Sequence, residues 1–103
     1  MARIIGFEAL SELAPAGIGA TYATLATLTF HAKQLLFVNS LDGDVVLSFD
    51  GGTTDHVRLP ASTSLSLNFT DNEHLLAGTV IQVKDGASAP TAGTLGVTPV
   101  YHK

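Results

Sequence analysis

With 103 residues, 14% of them charged, a net charge of −4 and no cysteine, the chain reads as one domain, and disulfides and thiolate metal sites are excluded. The five basic residues, Arg3, Lys33, Arg58, Lys84 and Lys103, are scattered, whereas a phosphate backbone calls for a basic run or face, so nucleic acid is not an expected partner. Hydrophobic residues reach 46%; a small domain has much surface per unit volume and should carry more charge than this, so other chains are expected to cover part of it.

Residues 1–20 stand apart. In "IIGFEALSEL" the apolar residues Ile4, Ile5, Phe7, Leu10 and Leu13 fall at mixed spacing. A helical turn or two fits residues 7–13, and Pro15, Gly17 and Gly19 end it. Fully extended, twenty residues reach about 65 Å. The segment is expected to be an N-terminal assembly arm with at most a short helix, its apolar residues docking on a neighbouring subunit. Deletion of residues 2–18 is expected to leave the rest folded and abolish assembly. Glu8 and Glu12 interrupt the apolar run, which makes a poor secretory leader, and no segment has the length of a membrane span.

From Thr21 to Lys103 the pattern is β. "TYATLATLTF" alternates. "AKQLLFVNS" is a more continuous apolar run, and Asp42-Gly43 is a two-residue turn signal before "DVVLSF". "DGGTT" makes the next turn, "DHVRLP" a short strand, and "TSLSLNF" the cleanest alternation. "GTVIQVK" and "TLGVTPVYH" complete about seven strands; Pro99 in the last favours an edge position or a bulge. The expected fold is all-β: an antiparallel β-sandwich (jelly-roll-like) or small barrel. Residues 39–69 read as a meander with Asp-Gly turns. The expected core is Leu36, Val38, Val45, Leu47, Phe49, Val57, Leu59, Leu65, Leu67, Phe69, Ile81 and Val83, with the face of each strand open to inversion.

Catalytic and metal signals are weak. From Asp42 or Asp50 no run supplies the alternating acids and closing glutamate of a calcium loop; Asp and Gly serve there as turn residues. His31, His56, His74 and His102 show no metal-pair spacing. His56 follows Asp55, and neighbours on a strand point to opposite faces. No G-x-S-x-G or S-x-x-K motif occurs. Neither a catalytic residue, a metal nor a cofactor is expected. "SLSLNFT" could present hydroxyls to a sugar, but there is no tryptophan to stack on one.

The elements Phe37-Val38-Asn39, Asp44, Ser48-Phe49-Asp50-Gly51, Asp55-His56, Leu59-Pro60-Ala61, Phe69-Thr70, Gly78-Thr79 and Val83-Lys84, with the opening "MARIIGFEAL", resemble a group of small tailed-bacteriophage virion proteins. The resemblance spans nearly the whole chain and contains no catalytic motif. It implies a non-enzymatic structural protein of capsid decoration (cement), neck, collar or tail accessory type. Such a protein would be made in the host bacterial cytoplasm and reside in the virion. Its partners would be copies of itself and major capsid, portal, neck or tail subunits, with no membrane. The rival expectation is a carbohydrate- or receptor-binding β-sandwich module of a fibre or surface protein.

Overall fold

The computed structural model describes residues 5–69 and 75–102. Among them lie nine strands: β1 (Ile5–Phe7), β2 (Ser11–Leu13), β3 (Ala23–Thr27), β4 (Ala32–Asn39), β5 (Val45–Ser48), β6 (Val57–Leu59), β7 (Thr63–Asn68), β8 (Val80–Asp85) and β9 (Leu95–His102). The first sheet runs β1/β2–β9–β4–β7, with β1 and β2 in succession along β9; the second runs β3–β8–β5–β6. All pairings are antiparallel. Each sheet therefore has four strand positions. Apart from β1–β2 and β5–β6, each connection crosses between sheets. That winding is a jelly roll.

The crossing connections correct the meander expected over residues 39–69. Asp42-Gly43 does not close a hairpin, because β4 and β5 belong to different sheets. Its side chain instead accepts the Thr91 N–H at 2.9 Å, tying this turn to the loop before β9. A local turn signal fixes a reversal of the chain, not which sheet takes the next strand.

The N-terminal segment is extended where helical turns fitted the sequence. Among its described residues, helical geometry is confined to a 3-10 turn at Pro15–Gly17. β1 and β2 satisfy the outer edge of β9, whose polar backbone would otherwise face solvent. Pro99 explains their interruption. The Glu8 N–H donates to the Pro99 carbonyl at 2.9 Å, but proline has no N–H to return. The pairing then slips by one residue between Phe7↔Val100 and Ser11↔Val97. Pro99 thus sits in an interior strand, opposite a bulge in the edge strand.

The core lies between the sheets. Val45, Leu47, Leu59, Ile81 and Val83 are buried as expected, while Phe49, Val57, Leu65, Leu67 and Phe69 pack partly buried against them. β4 is inverted: Leu35, Phe37 and Asn39 are buried, whereas Val38 is 59% exposed. Four consecutive apolar residues, Leu35 to Val38, carry no alternation to set the phase, and a one-residue slip reverses every side chain. In β3 a bulge between Thr24 and Ala26 turns both Leu25 and Ala26 into the core. Ile18, just after the 3-10 turn, is also buried.

Candidate functional site

Two surfaces gather the residues singled out by the sequence. The first is the outer face of the β1/β2–β9–β4–β7 sheet. In β1 the side chains of Ile5 and Phe7 alternate with Gly6, which lies against the Tyr101 ring. Ile5 is 54% and Phe7 65% exposed. Phe7 pairs with Val100, and across β9 Leu36 pairs with Thr98 and Val38 with Gly96. Leu10, 57% exposed, reaches over Gly96, where a Cβ would lie 3.1 Å from its Cδ1. Phe7, Leu10, Leu36 and Val38 thereby share this face with the small residues Gly96 and Thr98, and the exposed Glu12, paired with Gly96, stands beside Leu10. Along β7 the surface turns polar: the Gln34 amide donates to the Ser66 hydroxyl at 2.9 Å.

Of the five residues expected to dock on a neighbour, Ile5, Phe7 and Leu10 point outward. Leu13 packs against the core, and Ile4 lies outside the described residues. The segment is held to its own chain by more than strand pairing. The Glu8 carboxylate accepts the N–H groups of Thr29 and Phe30 at 3.1 and 3.3 Å. Deleting residues 2–18 would strip β9 of its edge partner and Leu13 from the core, so substitution on the outer face is the sharper test. Val38 is the contributor that sequence reasoning missed, because it was assigned to the core. The sequence carries no sign of the inversion, because alternation alone would turn the polar Asn39 outward and Val38 inward.

The second surface is the turn between β5 and β6, on the other sheet. Asp50 caps it: its carboxylate accepts the Ser48 hydroxyl at 2.8 Å and the N–H groups of Thr53 and Thr54 at 3.1 and 3.0 Å. Gly51 and Gly52 take positive φ of 81° and 87°, which glycine adopts without steric cost. The turn folds back over the sheet, where Gly52 packs against Tyr22 and Gln82. The Tyr22 hydroxyl donates to Asp55. Lys84 approaches the same carboxylate at 3.2 Å and lies 4.9 Å above the Tyr22 ring.

His56 meets Asp50, not its neighbour Asp55, with Nε2 4.0 Å from the carboxylate. Its Nδ1 accepts the Phe49 N–H at 3.1 Å. Ser48 is fully buried and bonds the aspartate, not the histidine. A nucleophile must be reachable and must bond its base; here serine, aspartate and histidine brace a turn. His74 and Thr70 fall outside the described residues. Among the described residues no three His, Asp or Glu side chains converge to hold a metal ion, and no helix is long and apolar enough to cross a membrane.

The bracing makes stability depend on acid. Hydrogen bonds from Thr54 and Ser48 hold the Asp50 carboxyl down to about 2, against an ordinary 3.8. Asp42 and Asp55 are lowered as well, chiefly by hydrogen bonds from Thr91 and Tyr22. The folded state thus favours the charged form. That stabilisation is present above the ordinary carboxylate value and is lost as pH falls toward about 2. Thermal unfolding followed from neutral pH to about 2 should show a falling midpoint, and Asp50→Asn should flatten that fall. An unchanged slope in the variant would rule out this role for Asp50.

No family model matches the chain, and neither a curated protein nor a solved structure matches it.

Proposed function

We propose that the protein is a non-enzymatic structural subunit of a tailed-bacteriophage particle, which docks its apolar outer sheet face on a neighbouring virion subunit and so stabilises the particle. The observation carrying this reading is the joint exposure of Phe7, Leu10 and Val38 on one sheet face. Scattered exposed apolar residues are ordinary, but a contiguous patch marks an interaction surface. Low charge over the whole chain agrees with a surface meant to be covered. The jelly roll is compatible, since the architecture serves viral capsid proteins among others, but a fold alone does not assign a role. Capsid decoration, neck, collar and tail accessory positions all fit such a subunit, made in the host cytoplasm and carried in the virion.

The test is mass spectrometry of density-purified particles produced by a bacterium that encodes this chain. The protein should be present at a copy number in fixed ratio to the major capsid protein. Val38→Asp should fold, because Val38 is already 59% exposed, yet be lost from the particles. Absence of the wild-type chain from purified particles would end this reading, and undiminished incorporation of Val38→Asp would remove the face from it.

A second reading, a carbohydrate- or receptor-binding module, is favoured by one feature. An open depression of about 330 Å³ lies beside Ser40, Ser62, Thr63 and Ser64; the Ser40 and Thr63 hydroxyls bond the Thr94 and Pro60 carbonyls, which leaves Ser62 and Ser64 to offer hydroxyls to a sugar. No aromatic ring lines it, and sugar sites usually stack on one. A reproducible glycan-array signal lost in Ser62→Asp would move this reading ahead.

A further inference from the structure

We propose that two copies of the chain pair β7 against β7, in antiparallel register about a twofold axis at Ser66, to make one continuous sheet. The pairing is separate from the particle role proposed above, since it needs nothing beyond a second copy of this chain.

The four sheet edges differ in how they are protected. Exposed edges invite pairing with other chains, and natural proteins blunt them with charges, prolines, bulges or short strands. The β1/β2 edge consists of two three-residue pieces broken by a bulge. β3 carries a bulge between Thr24 and Ala26. β6 has three residues, includes Arg58 and runs into Pro60. β7 has none of these devices. It is six residues, Thr63 to Asn68, uncharged, without proline, and in unbroken register with β4. Among the described residues no strand pairs with its outer side.

The phase of that free side is known. The Phe69 N–H donates to the Lys33 carbonyl at 3.0 Å. In an antiparallel ladder, alternate residues turn both backbone groups to the same neighbour. Leu67 and Leu65 therefore bond β4, and Ser64, Ser66 and Asn68 turn an N–H and a C=O each to the free side. A second copy with Ser66 opposite Ser66 sets Ser64 opposite the partner's Asn68. Every one of those free groups then finds a partner, in about six interchain hydrogen bonds.

The same register sets Leu65 beside the partner's Leu67 on the inner face, where both are half-buried. A one-residue slip would put leucines against the polar face. A two-residue slip would leave backbone groups of Asn68 or Ser64 unpaired. With no charge on the strand, the symmetric pairing brings no like charges together. The edge is complementary to itself.

The full-length protein should have twice the chain's 10.7 kDa mass, or an even multiple of it, by light scattering behind a sizing column. Ser66→Pro removes an outward N–H and costs no backbone bond to β4, losing only the exposed bond from the Gln34 amide to the Ser66 hydroxyl, which Ser66→Ala loses as well. It should therefore halve that mass with the β-sheet circular dichroism retained. Ser66→Ala keeps the backbone donor and should leave the mass unchanged. Should the proline variant fail to fold, Ser66→Lys takes its place, by setting two ammonium groups side by side on the axis. A wild-type monomer, an odd-numbered oligomer, or a Ser66→Lys protein of undiminished mass would each overturn the proposal.

Discussion

Replacing Asn39 with leucine is expected to lower the thermal unfolding midpoint by about 12–24 °C, from a loss of about 3 kcal/mol at roughly 4–8 °C per kcal/mol in a domain of this size. Asn39 is 1% exposed at the end of β4. Its amide nitrogen donates to the carbonyls of Leu59 and Pro60 at 3.2 and 2.9 Å, and its Oδ1 accepts the Leu41 N–H at 3.0 Å. One side chain thus satisfies the end of β6 in the second sheet and the first turn after β4 in the first. Leucine matches the volume but pairs with none of these groups, and each buried orphan costs about 1–3 kcal/mol. Asn39→Asp should be no milder, because it turns a carboxylate oxygen toward two carbonyls. Differential scanning calorimetry of both variants is the check. A drop below about 3 °C would mean that water replaces the amide and that the side chain is not the tie between the sheets.

The same residue shows what the sequence could and could not reveal. Strands with clean alternation were legible: Leu65, Leu67 and Phe69 face inward from "TSLSLNF", and Val45 and Leu47 from "DVVLSF". Alternation is a local signal, and it fixes a face wherever polar residues mark the other one. In "QLLFVN" they do not. There the phase comes from tertiary contacts of Asn39 with residues about twenty positions away, so the local pattern points Val38 inward although it faces out. Strand order was illegible for a similar reason. Asp42-Gly43 reads as a hairpin turn, but its aspartate is engaged by Thr91, on a distant loop.

The N-terminal segment was half legible. Ile5, Phe7 and Leu10 were recognisable as apolar residues in search of a partner surface, and they do point outward. That β9 would need an edge partner, and that Pro99 would break that partner into two pieces, follows from the sheet order. The turn at Asp50 was legible as punctuation. The approach of His56 to Asp50 was not, because a tight glycine turn brings together residues that a straight strand would separate.

Gly93→Ala is the second substitution expected to be severe, at about 2–6 kcal/mol. Gly93 precedes β9 with φ of 93°, and an added Cβ would lie 2.6 Å from the Ser40 carbonyl carbon and 2.8 Å from Leu41 Cα, closer still to the Ser40 oxygen. These are backbone atoms, so no rotamer change relieves the clash. Strain at such a φ costs about 1–3 kcal/mol, and overpacking about 1–3 kcal/mol more. The contact is close because two loops are laced together at this end of the sandwich. The Ser40 N–H donates to the Thr94 carbonyl at 2.9 Å, the Thr94 N–H to the Ser40 hydroxyl at 3.1 Å, and the Asp42 N–H to the Ala92 carbonyl at 3.2 Å. Gly51→Ala is the matched control. It too has positive φ, at 81°, but its Cβ would meet nothing within 4 Å, so it should cost only about 1–2 kcal/mol. The difference between the two variants in urea unfolding isolates the loop contact from the backbone strain. Equal losses would show that the loops part freely. A larger loss at Gly93, less than additive with Asn39→Leu, would show that both residues hold the same end closed, since neighbouring sites couple by about 0.5–3 kcal/mol.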